Sequence, residues 1–383
     1  MLRVPKNSLA FYLEEFLRTA SAAVCHEIRI PISLYLGGGL GSSAQVVQAI
    51  AQIAANCPSG MTLRLPLEFS TLDITAERIS STLHGMAALY FSETVISGDH
   101  VVPRRTALQQ LAHRVNAMDA QVFENTVRGI GISLCCFAGA RKEYLSPLYY
   151  GDERGTVRTS RDFKLILARM IVRLGSNATK SMSEGQYEHL ATLLHELFGN
   201  ADQHGTPISS NHQSSNEMRG VDLRVTSLGN IEDVIQEAGD DLALKTYLTR
   251  LLFQDKFQSD SNPALLELTI FDTGPGMGLN WISKLKGATS YSDFSVAEEL
   301  EAVETCFQKH ATTKSSHVRG QGLPIALRAM GRLGAFMTLR TGRVSLYQDF
   351  TDGEATSFSP KSRFRNDLAT TCGTSFTILF RIR

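Results

Sequence analysis

The sequence is poor in the features that identify several large classes of protein. Its six cysteines form no Cys-x-x-Cys pair and show no metal-ligand spacing with histidine. They predict reduced, mostly buried thiols of a cytoplasmic protein rather than a disulfide framework or a zinc site. Lysine plus arginine and aspartate plus glutamate number 38 each, so no overall charge favours nucleic acid or an anionic membrane.

Long hydrophobic segments are also missing. Residues 1–20 form a charged amphipathic stretch without the apolar core of a signal peptide. The longest apolar run, residues 129–140, is too short to span a bilayer, which argues against an ordinary transmembrane sensor. The 383 residues suffice for two or three domains with full-sized cores.

Residues 183–204 predict one amphipathic helix that carries polar side chains at its edge. Apolar residues recur at the spacing that places them on one buried face: Leu190, Leu193, Leu194, Leu197, Phe198 and Ala201. Glu196 and Asn200 lie four residues apart, so they project together from the flank of that face. This helix alone is equally compatible with a solvated polar edge.

Two later stretches place glycines where the backbone could approach a ligand. Residues 265–277 alternate like a strand as far as Asp272 and then continue into Gly274 and Gly276. This pattern predicts a strand that ends in a tight, ligand-facing loop. Gly320 and Gly322 precede a second apolar-periodic helix, so backbone N–H groups there could hold phosphate at a helix N-terminus.

These stretches together resemble a known family of ATP-binding proteins. Glu-x-x-x-Asn at 196–200, Asp-x-Gly-x-Gly at 272–276 and Gly-x-Gly at 320–322 occur in the order seen in the GHKL superfamily of gyrases, heat-shock chaperones, histidine kinases and mismatch-repair ATPases. Residues 372–380 look like the closing Gly-Thr strand of the same domain. The resemblance covers roughly residues 161–383 and implies a Bergerat-type α/β sandwich that binds ATP and Mg²⁺.

The resemblance gives each polar residue an expected role. Asn200 would bind Mg²⁺, because a magnesium ion held by nucleotide phosphates and water needs few protein oxygens. Glu196, one helical turn earlier, would orient or deprotonate an attacking water or a protein hydroxyl. Asp272 would accept a hydrogen bond from the adenine amino group and so reject guanine.

The remaining expected contacts surround the nucleotide. Gly274 and Gly276 would let the backbone approach the base, Met277 would pack on its face, and Thr374 would hydrogen-bond near it. Backbone N–H groups at Gly320, Gly322 and Leu323 would hold phosphate. His204 matches a phosphate-side position of relatives, with a helix-end histidine as the alternative. One basic residue of a lid would neutralise the γ-phosphate: Lys309, Lys314 or Arg319.

The first half of the chain predicts a small α/β domain. Two strands with a helix between them form a β-α-β unit, at residues 27–36, 44–55 and 61–69. Helices and a final strand complete the domain, at residues 76–90, 104–127 and 129–137. The glycine-rich segment 37–41 lacks the Lys-Ser/Thr of a phosphate-binding loop, which favours a tight strand-to-helix turn.

The predicted layout is an N-terminal α/β domain at residues 1–155, of regulatory or partner-binding role, followed by the ATP-binding domain at residues 156–383. The second domain includes an inserted helical segment at 230–260 and a polar lid at 278–319. A helix at 163–174 would pack beside the Glu196 helix or form a homodimer seam. The chain ends near the closing strand, which favours the layout of histidine kinases or anti-sigma serine kinases.

Three functions follow as hypotheses. The first is an ATP-hydrolysing switch whose nucleotide state changes contacts with a protein partner. The second is a protein kinase acting on a partner's serine or histidine, or on His26, because residues 25–31 resemble the phospho-acceptor segment of histidine kinases. The period-two alternation after His26 favours a strand there instead. The third is an ATP-gated interaction module without hydrolysis.

Overall fold

The computed structural model describes most of the chain and divides its strands between two sheets. The described residues are 1–22, 27–35, 40–65, 77–126, 131–151, 155–174, 182–204, 216–227, 235, 238–239, 241–255, 264–308, 321–351, 357–364 and 367–382. Within them, helices and strands form a mixed α/β structure, as the sequence predicts. No described helix is both long and apolar enough to cross a membrane.

The larger sheet has seven strands, and every neighbouring pair is antiparallel. Its spatial order is β11 (Lys361–Ser362), β10 (Val344–Asp349), β9 (Phe336–Gly342), β12 (Thr371–Ile382), β8 (Ala264–Asp272), β7 (Met218–Ser227) and β6 (Gly131–Phe137). The alternation of residues 220–228 predicts a strand that pairs with residues 266–271, and Thr341-Gly342 predicts a hairpin turn between residues 335–340 and 343–349. The pairing of β7 with β8 and the hairpin of β9 and β10 confirm both predictions. Every residue of β8 is buried, because helices cover both faces of the sheet.

The smaller sheet contains β1 (Leu2–Arg3), β2 (Glu27–Arg29), β3 (Met61–Leu65), β4 (Ser92–Ser97) and β5 (His100–Val102), in that order. Strands β2 and β3 are parallel and joined through helix α2 (Ser42–Ala55), so the β-α-β unit is confirmed. The strand predicted at 27–36 ends early, at Arg29. Pro31 explains this difference, because β2 lies between two strands and proline has no N–H for the ladder.

Three helices pack near one face of the larger sheet: α5 (Ser160–Arg173), α6 (Glu184–His204) and α10 (Gly322–Leu333). The predicted apolar stripe of α6 is buried, with no member more than 4% exposed. Helix α5 packs against α6 with its own apolar stripe buried, from Phe163 to Ile171. The apolar stripe of α5 therefore packs against α6 within the chain, which is one of the two predicted alternatives.

The opposite face of the larger sheet is covered by α1 (Ala10–Ala22), α2 and α7 (Leu242–Asp255). Glu14 of α1 forms an ion pair with buried Arg340 at 2.6 Å, and Gln48 of α2 donates to the carbonyl of Arg340 at 3.2 Å. Tyr247 of α7 stacks on Phe336 with ring centroids 5.2 Å apart. One cluster of buried side chains includes both halves of the chain.

Strand β6 corrects the predicted composition of the N-terminal domain. Its residues precede position 155, yet it pairs with β7 along its whole length and forms the edge of the larger sheet. Helices α3 (Leu83–Phe91) and α4 (Arg104–Asp119) confirm helical segments predicted in this half. The boundary between residues 155 and 156 stays a prediction, and β6 lies with the second unit.

The predicted lid also differs from the structure. Most of residues 278–308 fold into α8 (Met277–Lys286) and α9 (Val296–Cys306), which pack together through Leu279, Ile282 and Ala302. The sequence contains the signals for both helices. Gly287 ends α8 in a left-handed conformation with φ of 73°, and Ser295 with Glu298 forms a capping box at the start of α9. Residues 309–319 of the predicted lid lie outside the described residues.

Candidate functional site

A pocket of about 560 Å³ opens beside α6, α8 and α10, on the sheet face that carries Ile270 and Asp272. Cofactor pockets commonly measure roughly 300–1,000 Å³, so its size suits a nucleotide. The structure brings eight of the predicted site residues to its lining: Glu196, Asn200, Asp272, Gly276, Met277, Gly322, Leu323 and Thr374. Segments far apart in the sequence therefore meet at one site.

Asp272 lies in this pocket at the C-terminal end of β8 and is only 5% exposed. Burial raises the pKa of its carboxyl group to about 7, although two backbone N–H groups partly oppose this shift. One of them belongs to Gly274 and donates to Oδ1 at 2.9 Å; the other belongs to Thr374 on β12. The carboxylate is thus fixed in orientation by its own loop and by the neighbouring strand.

The glycine loop after Asp272 holds the first turn of α8 against the sheet. Gly276 has a φ of 86°, and a Cβ there would lie 2.5 Å from the hydroxyl oxygen of Tyr291. The backbone N–H of Met277 donates to Oγ1 of Thr341 at 2.8 Å, which in turn lies 3.2 Å from Oγ1 of Thr374. Only glycine accommodates both the left-handed backbone and the close approach.

Glu196 faces the N-terminus of α10. A Cβ at Gly322, the first residue of that helix, would lie 2.6 Å from Oε2 of Glu196, so the carboxylate could keep this position only beside a glycine. Burial raises the pKa of Glu196, and the nearby His195 opposes the shift. A carboxylate with a raised pKa accepts a proton more readily than an exposed one.

Asn200, one turn after Glu196, has an unused polar group. Its Nδ2 atom is buried and has no hydrogen-bond partner among the described residues. A carboxamide presents an oxygen or a nitrogen on either side, depending on its rotation, so Asn200 can turn an oxygen toward a cation. No group of three or more His, Cys, Asp or Glu side chains in the described part of the chain could hold a metal. Asn200 with nucleotide phosphates and water is a suitable set for Mg²⁺.

The other predicted residues have different outcomes. Gly274 is not part of the lining but supports Asp272 through its N–H. His204 is the last residue of α6, and its side chain is outside the description. Lys309 and Gly320 lie outside the described residues, so their expected contacts stay predictions. The same applies to Lys314 and Arg319.

Sequence reasoning missed one wall of the pocket, which α8 forms with Asn280, Trp281 and Lys284. These residues follow Met277 at i+3, i+4 and i+7, a helical spacing that was overlooked because the segment was predicted to be a lid. Cys306 and Gln321 also belong to the lining. Burial raises the pKa of the Cys306 thiol to about 12, which keeps it protonated.

Two further residues at the pocket have partners within the protein. His195, for which the sequence predicts no role, lies at the lining with Nδ1 2.8 Å from the carbonyl oxygen of Arg158. Asp202 accepts a hydrogen bond from Tyr149 at 2.6 Å and lies 3.2 Å from the guanidinium of Arg219. Asp202 therefore supports the wall of the pocket and is already neutralised by a buried cation.

Comparison of this chain with family models, with curated proteins and with solved structures identifies no match. The likeness to GHKL proteins consequently rests on the four residue patterns alone. The geometry of the pocket adds that residues of three of these patterns line one cavity: Glu196 and Asn200, Asp272 and Gly276, and Gly322. The fourth pattern contributes Thr374 to the same lining.

Proposed function

We propose that this protein binds Mg-ATP in the pocket and hydrolyses it as a nucleotide-dependent switch, with a Bergerat-type arrangement of the GHKL kind. One observation carries the proposal. One cavity of suitable size is lined by four groups: the buried carboxylate of Asp272, the carboxylate of Glu196, the amide of Asn200, whose Nδ2 makes no hydrogen bond to the described residues, and the helix N-terminus at Gly322. Each has the chemistry that one part of the nucleotide requires.

The Asp272 end of the pocket suits the adenine base. An adenine amino group would donate to the carboxylate, whereas guanine presents a carbonyl at the same position and would repel it. Met277 begins α8 beside the carboxylate and supplies apolar contact for the face of the base. A hydrogen bond to the ionised form would also lower the pKa of Asp272 from its value of about 7 in the free protein.

The Asn200 end of the pocket suits the phosphates. The N-terminus of α10 offers backbone N–H groups at Gly322 and Leu323, and its dipole favours an anion. Asn200 would hold Mg²⁺, which when bound neutralises phosphate charge and orients the phosphates. Glu196 would accept a proton from the attacking water while the oxygen of that water forms a bond to the γ-phosphorus. The bond to the β,γ-bridging oxygen breaks, leaving ADP and inorganic phosphate.

Incubation of the protein with Mg-ATP tests this proposal directly. We expect release of inorganic phosphate by the wild type, and loss of release with retained ATP binding for Glu196→Ala. Binding can be followed by the fluorescence of Trp281, the only tryptophan of the sequence, which lies in the pocket lining. Glu188→Ala on the same helix is the matched control, because Glu188 pairs with Lys164 on the protein surface at 3.2 Å.

The outcomes separate the proposal from its alternatives. An acid-labile phosphoprotein without free phosphate would indicate a histidine kinase, and unchanged ATP with a fluorescence response would indicate an ATP-gated module. Phosphate release by Glu196→Ala at the wild-type rate would contradict the assigned base. His26 lies outside the described residues, so transfer onto it stays a prediction.

A further inference from the structure

One helix wall of the pocket extends from the proposed adenine site toward the solvent. Met277, Asn280, Trp281 and Lys284 lie on the same side of α8, and all four line the pocket. Lys284 follows Met277 by seven positions, which corresponds to about 10.5 Å along the helix at 1.5 Å per residue. If the base of a nucleotide packs on Met277 and the ligand extends along α8, the phosphate chain beyond the ribose would lie near Lys284.

Lys284 has a charge that its surroundings do not neutralise. It is the one lysine or arginine among the described residues that line the pocket. No carboxylate of the described residues lies within ion-pair distance of it, and the charged or titratable neighbour that acts on it is the thiol of Cys306. Partial burial lowers the pKa of its ammonium group, while the side chain stays exposed enough to meet a ligand at the mouth of the pocket.

Lys286, two residues later, has a different environment. Its ammonium group pairs with Glu298 of α9 at 2.9 Å, and it does not line the pocket. The exposed fractions of the two side chains in this pair are 63% and 43%, so the pair contributes little to stability. Both lysines are exposed and lie in the last turn of α8, but only Lys284 lines the pocket.

We propose that Lys284 is a binding residue for the phosphate chain of the nucleotide, acting from the α8 wall while Asn200 and the N-terminus of α10 act from the other side. This inference rests on the proposed function. A lysine ammonium is a compact charge with three donors, which suits the non-bridging oxygens of a phosphate chain. The charge is supplied by a folded helix and is independent of the lysines predicted in the lid.

Binding measurements with adenosine, AMP, ADP and ATP test the inference, each in the presence of Mg²⁺ and followed by Trp281 fluorescence and calorimetry. We expect Lys284→Met to weaken ATP binding about ten-fold, equivalent to about 1.4 kcal/mol, because one phosphate contact is lost. Adenosine, which lacks phosphate, should bind the variant and the wild type equally. The smallest nucleotide whose affinity falls identifies the phosphate group that Lys284 contacts.

Lys286→Met is the control and should bind all four ligands like the wild type. Circular dichroism confirms that both variants are folded before binding is compared. If the wild type binds ATP but Lys284→Met binds it equally well, the assignment of Lys284 is wrong and the proposed function stands. Equal weakening of adenosine and ATP also contradicts a phosphate contact. A wild type that binds none of the four ligands overturns both proposals.

Discussion

Two buried carboxylates on strand β8 face opposite sides of the larger sheet. Asp272 and Glu267 are five residues apart, and an odd spacing in a strand places side chains on opposite faces. Burial raises the pKa of each carboxyl group to about 7. On one side Asp272 borders the open pocket; on the other Glu267 is enclosed by protein.

The two acids differ in what satisfies their oxygens. The backbone N–H groups of Leu40 and Gly41 donate to Glu267 at 2.6 and 2.7 Å, and the charge of Arg224 on the adjacent strand supports the ionised form. These N–H groups lie at the start of α2, in the glycine-rich segment 37–41, for which the sequence favours a tight strand-to-helix turn over a phosphate-binding loop. The carboxylate of Glu267 thus occupies the position at the N-terminus of α2 where a bound anion could otherwise lie. Asp272 receives N–H groups from its own loop and from the neighbouring strand β12, and its pocket side remains open to a ligand.

The role of a glycine-rich turn depends on which groups the fold packs against it. Gly41, with a φ of 79°, begins a helix whose N-terminus is closed by Glu267. Gly322 begins a helix whose N-terminus lines the pocket beside Glu196. We infer that the first turn joins the two halves of the chain and that the second belongs to the binding site.

The largest expected effect is the loss of stability when the enclosed acid is removed. Glu267→Ala leaves two buried N–H groups without an acceptor and removes one of the two carboxylates near buried Arg224, which keeps its ion pair with Asp222. We expect the free energy of unfolding to fall by about 3–5 kcal/mol. Urea denaturation measures this change. Glu267→Gln retains one acceptor and should lose less, whereas a wild-type midpoint for Glu267→Ala would show that the contact is not important for stability.

Asp272→Asn should have the opposite pattern. The amide keeps one acceptor for the N–H groups of Gly274 and Thr374 and removes a carboxylate charge that burial disfavours at pH 8, so the free energy of unfolding at that pH should not fall. ATP affinity should fall by at least about 100-fold, because the site loses the charge that accepts the adenine amino group. Calorimetry and urea denaturation on the same sample separate the two effects. Unchanged ATP affinity would remove Asp272 from the site.

The affinity for adenosine should depend on pH through Asp272 and not through Glu267. Asp272 is largely protonated below pH 7 in the free protein, and the ionised form accepts the stronger hydrogen bond from adenine. Affinity should therefore fall as the pH falls below about 7, by up to ten-fold per unit, with proton release on binding. Adenosine is the suitable ligand, because it has no phosphate that titrates. Glu267→Gln should keep this dependence, since Glu267 lies on the other face.

Local patterns predicted the parts of the site that depend on neighbouring residues. The spacing from Leu190 to Ala201 places Glu196 and Asn200 at the edge of one helix, and alternation up to Asp272 places that acid at a strand end. Both placements are confirmed, because burial of one face determines the period of the sequence. The pairing of β7 with β8 was also predictable, since both strands alternate and lie near each other in the sequence.

Long-range pairing was not predictable in the same way. The alternation of β6 from Gly131 to Phe137 suits either sheet, and its partner β7 begins only at Met218. Nothing within Leu40 and Gly41 indicates that Glu267, more than 220 residues away, accepts their N–H groups. The α8 wall with Lys284 differs from the prediction for another reason, because the resemblance implies a lid in a segment whose capping signals predict helices.

The smallest expected effect concerns the contact between Glu196 and α10. The Cβ that Gly322→Ala adds would lie 2.6 Å from Oε2 of Glu196. The carboxylate or the helix end must therefore shift. We expect phosphate release to slow by about ten-fold, because a displaced base no longer meets the attacking water. ATP affinity should change much less, since Asp272 and Asn200 are not displaced. Gly185→Ala is the control: it lies in the first turn of α6 away from the pocket, with no atom closer than 4.0 Å to the added Cβ. Gly185→Ala should leave turnover unchanged. If Gly322→Ala releases phosphate as fast as Gly185→Ala, Glu196 tolerates the added Cβ, and the turn at the pocket does not need a glycine at position 322.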